Sequence, residues 1–148
     1  MVGHNAYLEH LATLPLFSSC SKRDLQKIAR AGDAVTVAPG RVLVDQGEIG
    51  REAFVILDGT ATVKRNGRKI ATLGPGDHFG ELAMISRRER MATVEALTPM
   101  RCHTIQFWDF RAFAKKNPDV MWKLLQHVAG ILLKEQSRHP AHAESASP

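Results

Sequence analysis

Hydrophobic residues recur along this chain with two different periods, and the period changes twice. Between residues 6 and 14 the apolar positions Leu8, Leu11, Ala12 and Leu14 fall three and four apart, the spacing of one helix face, and Pro15 ends the run. A second helical pattern covers residues 22–31, with Leu25, Ile28 and Ala29 on one side. Ser21 is placed to cap its free amides, Asp24 lies near its first turn, and Gly32 stops it. From residue 33 the texture turns to short runs of alternating residues separated by Gly, Pro, Asn and Asp, which predicts strands at 34–37, 41–44, 53–57, 60–64, 69–73, 92–96 and 101–107. Asn66-Gly67 is the sharpest turn signal, because a two-residue hairpin turn needs positive φ at both central positions. Gly74-Pro75-Gly76-Asp77 predicts a tight turn directly before Phe79. The helical period returns at Trp108, breaks at Asn117-Pro118, and resumes through Val120, Met121, Leu124, Leu125, Val128, Ile131 and Leu132 to about residue 136. Trp108 and Trp122 fall on apolar faces of these two helices and are predicted to be core. Helices, then many short strands, then helices predict an α+β fold built on an antiparallel β-roll.

One stretch interrupts this alternation. Phe79 to Ala96 places a glycine, a helix of about one and a half turns, a cationic loop and a buried strand in direct succession. Gly80 permits close backbone approach, and a helix starting at Glu81 aims its first free N–H groups at whatever lies beside it. The positive end of the helix dipole makes an anion the natural guest, and Arg87, Arg88 and Arg90 follow within reach. A carboxylate only accepts hydrogen bonds, so Glu81 beside an anion site implies a ligand that also carries a hydroxyl, such as a sugar phosphate.

Composition narrows the class. A chain of 148 residues, 44% apolar and 24% charged, suits one core, and no apolar run is long enough to cross a bilayer. The amino terminus lacks a cationic segment followed by an unbroken apolar one, which predicts a cytoplasmic protein without membrane attachment. Cys20 and Cys102 are far apart and predicted to be reduced thiols. The net charge of +5 is spread over several segments and indicates nucleic-acid binding only weakly; no direct DNA binding is expected. The seven histidines are scattered without an H-x-H pair, so no metal site is predicted and His78 reads as a turn residue. No Ser/His/Asp or Cys/His arrangement and no Walker lysine loop is visible, so no catalytic residues are assigned and the chain is not expected to be an enzyme.

Phe79-Gly80-Glu81-Leu82-Ala83-Met84-Ile85, a four-residue loop and Arg90-Met91-Ala92-Thr93-Val94 together resemble the phosphate-binding cassette of the cyclic nucleotide-binding domain family, including its Glu-to-Arg spacing of nine. Leu14-Pro15-Leu16-Phe17 and the following Asp24-Leu25-Gln26-Lys27-Ile28-Ala29 resemble the family's leading helices. The resemblance implies an eight-stranded jelly-roll β-roll with helices on both sides. It implies a domain over residues 1–136: leading helices at about 6–31, the roll at 33–107, C-terminal helices at 108–136 and a disordered tail at 137–148. It assigns the cyclic phosphate to Arg90 and to backbone amides of Gly80, Leu82 and Ala83, and the ribose 2′-hydroxyl to Glu81, with Met91 and Ala92 alongside. Family members that hold cyclic GMP often carry Ser or Thr directly after the arginine; Met91 lacks a hydroxyl, which favours cyclic AMP over cyclic GMP. The resemblance further implies a base cap from the last helix, for which Ile131, Lys134 and Arg138 are the candidates, and a regulatory role in which occupancy moves that helix. Partners would be a protein effector or a second copy of the chain meeting it through the C-terminal helix. A protein-interaction module that kept the fold and lost the ligand is the alternative, as is a sensor cut from a larger kinase, channel or transcription regulator.

Overall fold

The computed structural model describes residues 8–9, 11–13 and 17–138, with the side chains of Glu81, Leu82 and Arg138 outside the described set. Residues 8, 9, 11 and 12 are helical, in agreement with the first helical pattern. Helix α1 (Lys22–Ala31) starts at a capping box: the Asp24 N–H donates to Ser21 Oγ at 3.1 Å, and the Ser21 N–H donates back to Asp24 Oδ2 at 2.9 Å. Eight strands follow: β1 (Asp33–Val37), β2 (Val42–Val44), β3 (Glu52–Asp58), β4 (Ala61–Arg65), β5 (Arg68–Leu73), β6 (His78–Phe79), β7 (Thr93–Ala96) and β8 (Met100–Gln106). Helix α2 (Glu81–Ser86) lies between β6 and β7, and α3 (Phe107–Lys116) and α4 (Pro118–Arg138) close the described chain.

The strands form two antiparallel four-stranded sheets, ordered β1-β8-β3-β6 and β2-β7-β4-β5. Alternation along β3 shows how one sheet serves two cores. Phe54 and Ile56 point between the sheets, where they meet Val37, Val44, Val94 and Met100, while Val55 points outward onto the helices. The outer layer has its own core of Leu8, Leu11, Phe17, Leu25, Ile28, Phe113 and Val120. His103, opposite Val55 on β8, is buried toward this helical layer and approaches the Ala29 carbonyl of α1 through Nε2 at 3.2 Å. Burial holds its imidazole below the ordinary pKa, with the Ala29 carbonyl acting in the opposite direction. Asp24 of α1 and Lys123 of α4 pair at 2.7 Å and tie those two helices together.

Several local features depart from the sequence expectations. His78 is a strand residue, paired with Val55 of β3, and its two-residue strand β6 brings the seven expected strands to eight. Phe107 opens α3 instead of ending β8, and α4 continues to Arg138. Trp108 and Trp122 are not core: they are 65% and 61% exposed. On α4 the buried side is set by Val120, and two residues further on the helix has turned about 200°, so Trp122 faces away. Trp108 lies against the edge of Phe107, their ring centroids 5.2 Å apart. The expected tail lies outside the described residues from position 139 onward. Cys20 and Cys102 are both unpaired, and burial pushes the Cys102 thiol up to about 11.

Candidate functional site

Gly80 is the pivot between β6 and α2, and two separate constraints require a glycine there. Its φ of 87° lies in the left-handed region, and a Cβ would stand 2.7 Å from Arg90 Nη1 and 2.9 Å from the Glu52 carbonyl oxygen. The first intrahelical bond of α2 runs from the Met84 N–H to the Gly80 carbonyl at 3.1 Å. The amides at positions 81–83 precede it and therefore have no acceptor within the helix.

Arg90 is 6% exposed, an unusual burial for a guanidinium. Its Nη1 donates to the Gly80 carbonyl at 2.9 Å and its Nη2 to the Glu52 carbonyl at 2.7 Å, with Glu52 Oε1 at 3.5 Å. Charge-assisted bonds from one planar group thus fix the glycine hinge of α2 to the start of β3. The structure therefore brings Gly80 and Arg90 together, as expected, and seats the guanidinium at the N-terminal end of α2.

The loop between β2 and β3 forms a second wall that the sequence reading missed. Its backbone pairs with the segment after α2: the Arg90 N–H donates to the Glu48 carbonyl at 2.7 Å, the Gly47 N–H to the Arg90 carbonyl at 3.0 Å and the Gly50 N–H to the Arg88 carbonyl at 3.0 Å. Gly50 lies so close to α2 that a Cβ would come within 2.5 Å of the Ala83 carbonyl carbon. Gly50, three residues after Gly47, is the one signal in the sequence of a close approach here. Glu52 gave no sequence signal, because its role depends on a partner 38 positions away. Thr93, in β7, braces the same loop: its hydroxyl donates to Asp45 Oδ1 at 2.8 Å and accepts from the Gln46 N–H at 3.0 Å.

Of the remaining candidates, Ala83 and Ala92 are partly buried, and Met91 is 74% exposed with its carbonyl accepting from Arg65 Nε at 3.3 Å. The side chains of Glu81 and Leu82 lie outside the described residues. Ile131 and Lys134 stand exposed on α4 and line a depression of about 420 Å³ whose lining among the described residues comes from α4, and the Arg138 side chain lies outside the described residues. The far end of α2 makes a different connection. Arg87, at φ 59°, caps the helix and places its guanidinium 4.1 Å from the Phe107 ring centroid and 5.9 Å from that of Trp108. The cassette is thereby in contact with the first turn of α3.

Comparison with known proteins bears on the family and the fold. The profile of the cyclic nucleotide-binding domain family matches residues 34–117. A cAMP-dependent protein kinase regulatory subunit of Schizosaccharomyces pombe is 37% identical over 82% of this chain and 31% of its own length. A cyclic nucleotide-gated potassium channel of Rhizobium etli is 34% identical over 74% of this chain and 31% of its own. Among solved structures, the N-terminal domain of a transcriptional regulator from Streptomyces coelicolor A3(2) superposes with a TM-score of 0.81 at 28% identity, covering 86% of this chain and 95% of that one. The chain belongs to the cyclic nucleotide-binding domain family. It spans about a third of the length of the two curated relatives.

Proposed function

We propose that this chain is a cyclic nucleotide receptor domain that prefers cyclic AMP over cyclic GMP, holds its ligand without converting it, and passes occupancy to α4. The observation that carries the reading is the buried Arg90 guanidinium seated against Gly80 where the free amides of α2 begin. In this reading Arg90 and the amides at 80, 82 and 83 hold the cyclic phosphate, Glu81 accepts from the ribose 2′-hydroxyl, and Met91 offers no hydroxyl to a guanine amino group. The name of the fission yeast relative, a cAMP-dependent kinase regulatory subunit, supports the choice of nucleotide and a regulatory role. Movement of the cassette reaches the C-terminal helices through Arg87, whose guanidinium rests on Phe107 at the start of α3. Ile131, Lys134 or Arg138 then covers the base when α4 closes, so the closed arrangement binds more tightly and the ligand shifts the population toward it. The effector is a protein, or a second copy of the chain meeting the exposed apolar residues of α4.

Titration of the purified protein with both nucleotides, followed by calorimetry and by backbone amide shifts, tests this. Saturable binding with shifts at Gly80, Ala83 and α4, tighter for cyclic AMP, is the expected result. The second reading, an interaction module that kept the fold, draws on Arg90's two carbonyl partners, which an internal strut would also have. Heat release and shifts absent for both nucleotides would select it.

A further inference from the structure

Helices α1 and α3 line an open groove of about 500 Å³. Its floor is apolar, made of Ala31, Ala112 and the ring of Phe113, and its rim carries Lys27, Arg30 and Lys116. Lys22 and Arg23 on α1 and Arg111 and Lys115 on α3 add to the positive charge of the two helices without lining the groove itself. The acids of these two helices are Asp24, already paired with Lys123, and Asp109. Asp109 lines one end of the groove and Lys116 follows it by seven residues, about 10 Å along the helix, so the groove is graded from acidic to strongly basic. None of these residues belongs to the cassette.

We propose that this groove is a docking site for an acidic amphipathic segment of a partner protein. An apolar floor inside a cationic rim fits a segment with one or two aliphatic side chains turned inward and carboxylates on either side. Arg30 and Lys116 are exposed and Lys27 is half-buried; together they steer and orient such a segment, and Asp109 excludes a carboxylate from one end and so fixes its direction. Duplex nucleic acid and anionic membrane present negative charge without side chains sized for the floor. The site stands independently of the nucleotide reading.

The test uses the whole chain and a fluorescein-labelled synthetic helical peptide of leucine and glutamate in an amphipathic pattern. Comparators are the same peptide with lysine for glutamate, a short DNA duplex and vesicles containing phosphatidylserine. Anisotropy is expected to show salt-sensitive binding of the glutamate peptide, with amide shifts at Ala31 and Ala112. The double variant Lys27→Glu, Lys116→Glu is expected to weaken it by about tenfold or more, and the milder Lys27→Gln, Lys116→Gln pair in the same direction. A charge-matched control, Arg68→Glu with Lys69→Glu on β5, is expected to change it less than about twofold. Equal weakening by the control, or binding of DNA or vesicles in preference to the peptide, would overturn the proposal. Circular dichroism melts of each variant separate loss of docking from loss of fold.

Discussion

Arg90 is a buried strut between the Gly80 and Glu52 carbonyls, a rare setting for a guanidinium, and in the proposed reading it is a phosphate contact as well. Truncation to alanine is expected to weaken cyclic nucleotide binding by about 2–4 kcal/mol, on the order of thirty- to a thousandfold by calorimetry. It also leaves the Gly80 and Glu52 carbonyls without that donor, so a loss of about 1–3 kcal/mol in urea unfolding is expected alongside. Replacing Arg90 by lysine restores the charge without the planar fork that spans both carbonyls, and is expected to recover only part of either quantity. At Gly80, alanine meets both an unfavourable φ and the Arg90 side chain, so Gly80→Ala should reduce affinity and stability together. His103 gives a prediction with a sign. Its folded-state pKa lies below the ordinary value of 6.5, so the unfolded chain takes up the proton first as pH falls. This group's contribution is therefore complete above about pH 6.5 and is lost progressively below it, and His103→Gln should flatten that part of the stability profile measured by denaturant titration.

Among the elements, legibility in the sequence followed how locally each was specified. The β4–β5 hairpin was readable from Asn66-Gly67 because the turn demands positive φ at both positions, and the structure has φ 52° and 77° there. The capping box of α1 was readable for a similar reason. Strand β6 was not, because two residues carry no period and their pairing comes from β3. Nor was the exposure of Trp108 and Trp122, since an apolar stripe broader than the surface it packs on leaves some members outside. The contact between α2 and α3 yields a test at this scale. Arg87→Ala removes the guanidinium from Phe107 but leaves Gly80 and Arg90 intact. Affinity should change by less than about threefold, while ligand-induced shifts of the Trp108 and Trp122 indole signals should diminish; retention of both shifts would exclude this route.

Across the whole molecule, two cores share the β1-β8-β3-β6 sheet, and its two central strands carry contacts to different helices, β3 to α2 and β8 to α3. α2 rests on β3 and α4 on α3, and the Asp24–Lys123 pair joins α1 to α4. If cyclic AMP binds only the folded form, its stabilisation should follow ligand excess, about 2.7 kcal/mol at a hundredfold excess over the dissociation constant, and appear as a rise in Tm. Cyclic GMP at equal concentration should give a smaller rise, and Arg90→Ala should suppress both. The sequence by itself determined the succession of helices and short strands, the glycine-led helix and the identity of the arginine nine residues after Glu81, because periodicity, turn chemistry and motif spacing are properties of neighbouring residues. Only the tertiary structure decided that Arg90 is buried against Glu52, that the loop through Gly50 packs on the cassette helix, and that both tryptophans face outward. Each of those depends on residues distant in the chain meeting in space, and no local spacing encodes which partner a buried guanidinium or a close-packed glycine will find.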